Sequence, residues 1–167
     1  MITTHCDIGY SLIDGIYDAL YGNVTIDGAT IPVYKSMPKP GANTYILINQ
    51  VNYIENGTKD FFIYEGTVNV VVCDDSAQRG DKKKAQLILG IVRGLLKPSR
   101  LSVPTLSGGL TIDSEIITID SELYTVDGGL AISLVSFTPG IYNEFIEQSE
   151  TVYSKVRLID TYNFIIA

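Results

Sequence analysis

The chain predicts an α+β fold, a mainly antiparallel sheet with two helices packed on one face. Three observations carry this expectation. Two segments, 7–21 and 81–97, repeat apolar residues at helical spacing. Around them lie runs of β-branched and aromatic residues joined mostly by short turns, which favours antiparallel pairing. The 167 residues, 46% of them apolar, suffice for one core. Residues 1–167 are therefore read as a single domain.

The first helix is read from DIGYSLIDGIYDALY, which places Ile8, Leu12, Ile16, Ala19 and Leu20 on one face. Asp7 is expected to cap its start and Gly22 its end. In VTIDGATIPVYKS, Asp27-Gly28 between β-branched residues marks a tight hairpin turn. SMPKPG is a loop stiffened by Pro38 and Pro40. YILINQVNYIEN reads as a strand and ENGTKD as a turn. FFIYEGTVNVVVCD is the clearest strand, with Val68, Val70 and Val72 on one face and Thr67, Asn69, Val71 and Cys73 on the other.

The second helix, DKKKAQLILGIVRGLLK, puts Ala85, Ile88, Val92 and Leu95 on one face, with Leu89 and Leu96 beside them, and Pro98 stops it. Gly90 and Gly94 lie one turn apart and each weakens the helix by about 1 kcal/mol relative to Ala. Close packing on the chain's own sheet is the reading favoured for them, with contact to a second subunit as the sharper alternative. Residues 111–131 repeat TIDSEII, TIDSELY and TVDGGLA. Such Thr- and Asp-rich units are weak helix formers, so an inserted acidic β-hairpin or short meander is expected around 107–131. LAISLVSFTPG and TVYSKVRLIDTYNFIIA are strand-like, with the short polar-apolar segment YNEFIEQ between them.

Twelve basic and nineteen acidic residues give a net charge of −7. Nucleic-acid affinity rests mainly on Lys and Arg at phosphates, so the balance argues against gripping DNA. It suits a surface that DNA passes without sticking. Eleven Tyr against five Phe and no Trp favour half-buried sheet faces and subunit contacts. Two cysteines, Cys6 and Cys73, make no disulfide framework. The start MITTHCDIGY lacks the pattern of a signal peptide and no apolar run is long enough to cross a bilayer, so cytoplasmic folding without membrane contact is expected.

The stretch CDDSAQRGDKKKA is the strongest candidate for chemistry. Cys73 with Asp74 and Asp75 would make a nucleophilic site only if His5, the lone histidine, folded across to it. A Cys in a valine-rich strand is more often a small buried apolar residue. Adjacent carboxylates point apart in an extended chain, and no metal-ligand spacing, P-loop or dinucleotide fingerprint is present. The expectation is a plain strand-to-helix connection: the strand ends at Cys73 or Asp74, Asp75 and Ser76 turn the chain, and Asp81 caps the helix. No catalytic, cofactor or metal site is assigned. Lys82, Lys83 and Lys84 open a helix, where the dipole disfavours positive charge; a contact with an acidic partner is one reading of this, and a solvated charge run, the commoner case, is the other.

The order of elements now carries a resemblance. An amphipathic helix, the loop PVYKSMPKPGANTYILI, the strand VNVVVCDDSAQRGD and the helix AQLILGIVRGLL follow one another. Over residues 8–97 this resembles the tail terminator, or tail completion, proteins of long-tailed bacteriophages; the TIDSE repeat departs from the family pattern as an insertion. The resemblance implies a ring of subunits, usually a hexamer, seated on the tail tube. It would end tube polymerisation and offer a surface to the head-completion or connector protein, with DNA passing through unbound. The location implied is the tail-neck region of a virion assembled in the host cytoplasm. Under that reading Pro38, Lys39, Pro40 and Gly41, with Lys82, Lys83 and Lys84, would meet the tube or connector. Gly90 and Gly94 would admit a neighbouring subunit, and Asp113, Glu115, Asp120 and Glu122 would line the channel. Two rivals remain: another head-tail connector or tail-tube component, and a small cytoplasmic enzyme using Cys73 and His5.

Overall fold

The computed structural model describes residues 8–58, 62–78, 81–96, 110–112, 115–117, 124–126, 130–132, 134–148 and 153–166, with main chain alone through 110–136. Helix α1 spans Gly9–Leu20 and is followed by β1 (Thr25–Ile26), β2 (Ala29–Thr30), β3 (Val33–Tyr34), β4 (Thr44–Gly57) and β5 (Phe62–Gln78). Helix α2 spans Lys83–Leu96. Four short strands follow, β6 (Leu110–Ile112), β7 (Glu115–Ile117), β8 (Tyr124–Val126) and β9 (Leu130–Ile132), and then the long strands β10 (Leu134–Gln148) and β11 (Tyr153–Ile166). The class is α+β, as expected.

The main sheet runs β10-β11-β5-β4-β3, antiparallel except for the short β3–β4 pair. Period-two alternation decides its faces. Val68, Val70 and Val72 are fully buried on the helix-covered face, beside Ile46 and Ile48 of β4 and Leu158 and Tyr162 of β11. Helix α1 adds Ile8, Leu12, Ile16 and Leu20 to this core, and α2 adds Ala85, Ile88, Leu89, Val92 and Leu96. Each such aliphatic side chain contributes on the order of 1.5–3 kcal/mol by leaving water. Polar pairing also anchors α2: Arg93 Nε donates to Asp160 Oδ2 at 2.7 Å and its Nη2 to Oδ1 at 2.8 Å. Asp160 is buried, and the two-pronged bond supplies its partner.

Local signals hold in several places. Asp27 and Gly28 both take positive φ, 51° and 78°, the geometry of a tight two-residue hairpin. Gly22 ends α1 in the left-handed region at φ 76°. Asp81 Oδ1 accepts the Lys83 amide at 3.0 Å, capping α2. The helix start differs: α1 begins after Ile8 with no side-chain cap, and Asp7 lies outside the described residues.

Two further expectations fail. The strand does not end at Cys73 or Asp74 but continues to Gln78. Asp75 and Ser76 form a bulge within it, since Ser154 and Val156 of β11 pair with Ala77 and Asp74. Asp74 Oδ1 accepts both the Ser76 amide at 3.0 Å and the Ser76 hydroxyl at 2.6 Å, so the turn chemistry read from DDS is spent on the bulge. Gly90 and Gly94 do not pack on the sheet: both face outward, and a Cβ on either would meet nothing within 4 Å. In the repeat region β6–β7 and β8–β9 form two successive hairpins.

Candidate functional site

Among the described residues, two surfaces of the sheet are left without helix cover, and they adjoin. The first is the face opposite the helices. There Tyr45, Leu47, Val71 and Cys73 form a second small cluster, with Tyr34, Ala42 and Ile159 packed against it. They occupy alternate positions on β4, β5 and β11, so the same pleat that buries Val70 and Val72 delivers Val71 and Cys73 to the other side. A hollow of about 230 Å³ opens over this cluster, rimmed by Met37, Asn49, Phe145 and Arg157. Its polar edge is an ion pair, Arg157 Nη1 to Asp75 Oδ1 at 2.5 Å, with the guanidinium 5.9 Å from the Tyr45 ring.

The chemistry of this hollow is that of a packing surface. Burial pushes the Cys73 thiol above its ordinary value, and Arg157 and the Tyr45 hydroxyl offset this only in part. Burial, reinforced by Cys73, raises Tyr45 from 10.0 to about 12. A thiol held protonated is a poor nucleophile. Neighbouring carboxylates are committed elsewhere: Asp75 to Arg157, Asp74 to Ser76 and Thr44. His5 and Cys6 lie outside the described residues.

The second surface is the edge strand β10. It is the outermost strand of the sheet, and residues 141–147 are all exposed. Ile141 is 65% exposed, Tyr142 39%, Phe145 59% and Ile146 39%. Gly140 and Ile141 form a bulge opposite Thr161, and Gly140 sits where a Cβ would come within 2.7 Å of the Asn163 amide nitrogen. Beyond the bulge the strand is held from the helix side. Lys82 Nζ donates to Glu144 Oε1 at 2.6 Å, Tyr142 Oη to Glu144 Oε2 at 3.0 Å, and Arg93 lies 5.4 Å from the Tyr142 ring centre. Lys82 and Tyr142 hold the Glu144 carboxyl below its ordinary value.

Sequence reading missed this strand as a surface. YNEFIEQ reads only as a short polar-apolar segment because it lacks alternation: it is exposed on both faces, and neither selects for apolar residues. Four large apolar residues within six positions were the available signal.

The residues singled out from sequence fall in separate places. Lys39, Pro40 and Gly41 are exposed in the loop before β4, Pro38 is half-buried, and Gly41 takes φ 111°. Met37 of the same loop reaches the hollow, 4.0 Å from the Tyr45 hydroxyl. Lys82 is engaged with Glu144, Lys84 Nζ donates to Thr44 Oγ1 at 2.9 Å, and Lys83 is exposed. Within the α2 surface Leu87 is 54% exposed, in the same stretch as the outward-facing Gly90 and Gly94. Glu115 opens β7, while Asp113, Asp120 and Glu122 lie outside the described residues.

No protein-family model matches the chain, and no curated protein matches it either. Among solved structures, its fold is similar to that of a chain in the virion of native gene transfer agent (GTA) particle, at a TM-score of 0.56 and 12% identity. The alignment covers 98% of this chain and 100% of the other. At that identity the likeness is one of fold.

Proposed function

We propose that this chain is a structural protein of a phage-like virion, acting as the ring that caps the tail tube. The observation that carries the reading is the end-to-end fold likeness to a chain of a gene transfer agent virion, spanning 98% of this chain and 100% of its counterpart. The resemblance of residues 8–97 to tail terminators selects the capping role within that class. A ring needs unlike surfaces that meet head to tail and close by rotation. Leu87, Gly90 and Gly94 on the outer side of α2, and Met37, Phe145 and the hollow on the helix-free face, lie on opposite sides of one sheet and suit such a contact. Capping then works by shape: the ring pairs with the last layer of tube subunits and leaves no equivalent surface for another. The tube protein and the head-completion or connector protein are the partners, and DNA crosses the ring without specific contact, as the net charge of −7 favours.

Native mass measurement with electron microscopy of the purified protein tests this. A closed ring with an open centre is expected, and added tube protein should yield tubes capped at one end. Open-ended filaments made by the chain alone would instead identify a tube component. A species that stays monomeric both alone and with tube protein would overturn the ring.

A further inference from the structure

We propose that the outer edge of β10 is a twofold contact between two copies of this chain. In it, residues 141–145 of each copy pair as antiparallel strands centred on Asn143. The edge is open, since among the described residues β10 pairs only with β11. An unpaired strand edge of this length is a template for another strand. Ile141, Tyr142, Phe145 and Ile146 are exposed about it, two on each face of the sheet. Together they offer on the order of 400 Å² of bare side chain. That is roughly half of the ~800 Å² per partner that a stable interface buries. The strand's main chain, Asn143, Glu144 and Glu147 extend the surface towards the rest.

The register follows from the pleat and from charge. Residues opposed in a strand pair share a face, so a twofold pairing of identical strands must be centred on a residue. Centring on Asn143 opposes Ile141 to Phe145 twice and Asn143 to its own copy. It also opposes Tyr142 to Glu144, side chains that already bond at 3.0 Å within one chain. Centring one residue on would set Glu144 against Glu144, which is destabilising. The pairing closes at the Gly140–Ile141 bulge, beyond which the alternation of faces is broken. A second copy is the fitting occupant because one patch complements itself under the twofold axis.

This contact is distinct from ring closure, which joins unlike surfaces, and it does not rest on the ring reading. Where rings form, it joins two of them or holds subunits in pairs. The test is oxidative cross-linking in a Cys6→Ser background. Asn143→Cys should give a disulfide-linked dimer about tenfold faster than Glu147→Cys, because only the central position brings equivalent Cα atoms within disulfide reach. Ile141→Asp should halve the native mass while leaving the thermal midpoint in place. Equal cross-linking at the two positions, or an unchanged mass with Ile141→Asp, overturns the proposal. A single ring without the Asn143→Cys cross-link removes this contact and leaves the ring. A cross-linked dimer that never forms rings supports this contact and removes the ring.

Discussion

The two faces of the central sheet are made by neighbouring residues of the same strands, yet they serve different ends. On one face Val68, Val70 and Val72 are sealed under two helices. On the other, one position along, Val71 and Cys73 sit in a small cluster beside an open hollow, with Met37 73% and Phe145 59% exposed around it. Burial on the first face is complete within one chain, so it supplies stability. Apolar surface on the second is only partly covered, so it retains the capacity to bury more on contact. Substitutions on the first should therefore unfold the protein, and those of the exposed residues on the second, Met37 and Phe145, should leave folding intact and alter assembly.

The sharpest way to break this contrast is Phe164→Ala. Phe164 is 1% exposed on the helix-covered face, and the change is expected to cost about 3–5 kcal/mol in urea unfolding. A loss below 1 kcal/mol would show that the covered face is not the seat of stability. Arg93→Ala should follow at about 3 kcal/mol, since it strands the buried Asp160 carboxylate. Asp160→Ala should cost less, because Arg93 is half-buried and can turn to water. A reversed order of these two would sink the assignment of Asp160 as the buried partner.

Gly66→Ala tests the pairing of β4 with β5 beside its bulge. A Cβ there would fall 2.0 Å from the Asn52 carbonyl oxygen, beside the bulge where Gln50 takes φ 50°. Backbone cannot yield that distance cheaply, so a loss of about 2 kcal/mol is expected in thermal unfolding. Alkaline unfolding probes the hollow more gently. Tyr45 is raised from 10.0 to about 12, so its burial stabilises fully below pH 10. That stability declines as pH climbs from 10 towards 12, where the unfolded chain alone gives up the proton. Tyr45→Phe should flatten this part of the stability profile relative to the parent, and an unchanged slope would remove Tyr45 as its source. The smallest effect is expected for Phe145→Ser, within about 0.5 kcal/mol of the parent in unfolding. A larger loss would mean that the helix-free face stabilises the monomer after all.

Much of the fold was legible because local chemistry and tertiary packing agree there. Ile8, Leu12, Ile16 and Leu20 recur at helical spacing and are buried together; the valines of β5 alternate and divide between faces; Asp27-Gly28 turns a hairpin. Where the two disagree, the local reading failed. Asp75 and Ser76 are turn formers, but β11 pairs with β5 as far as Gln78 and carries the strand past them as a bulge. The strand-like LAISLVSFTPG does not end at Gly140 either: β10 runs on through Pro139 to Gln148, because an edge strand tolerates a missing donor. The glycines of α2 suggested close packing, and only the helix's placement on the sheet turned them outward.

By itself the sequence determined the class, the two helices and the inward face of β5, because hydrophobic period is a local property that burial must obey. Which strands lie at the edges, which sheet face stays bare and which apolar residues remain in contact with water were decided only by the assembled sheet. Those depend on pairing between segments far apart in the chain, such as β5 with β11, and no window of sequence contains both partners.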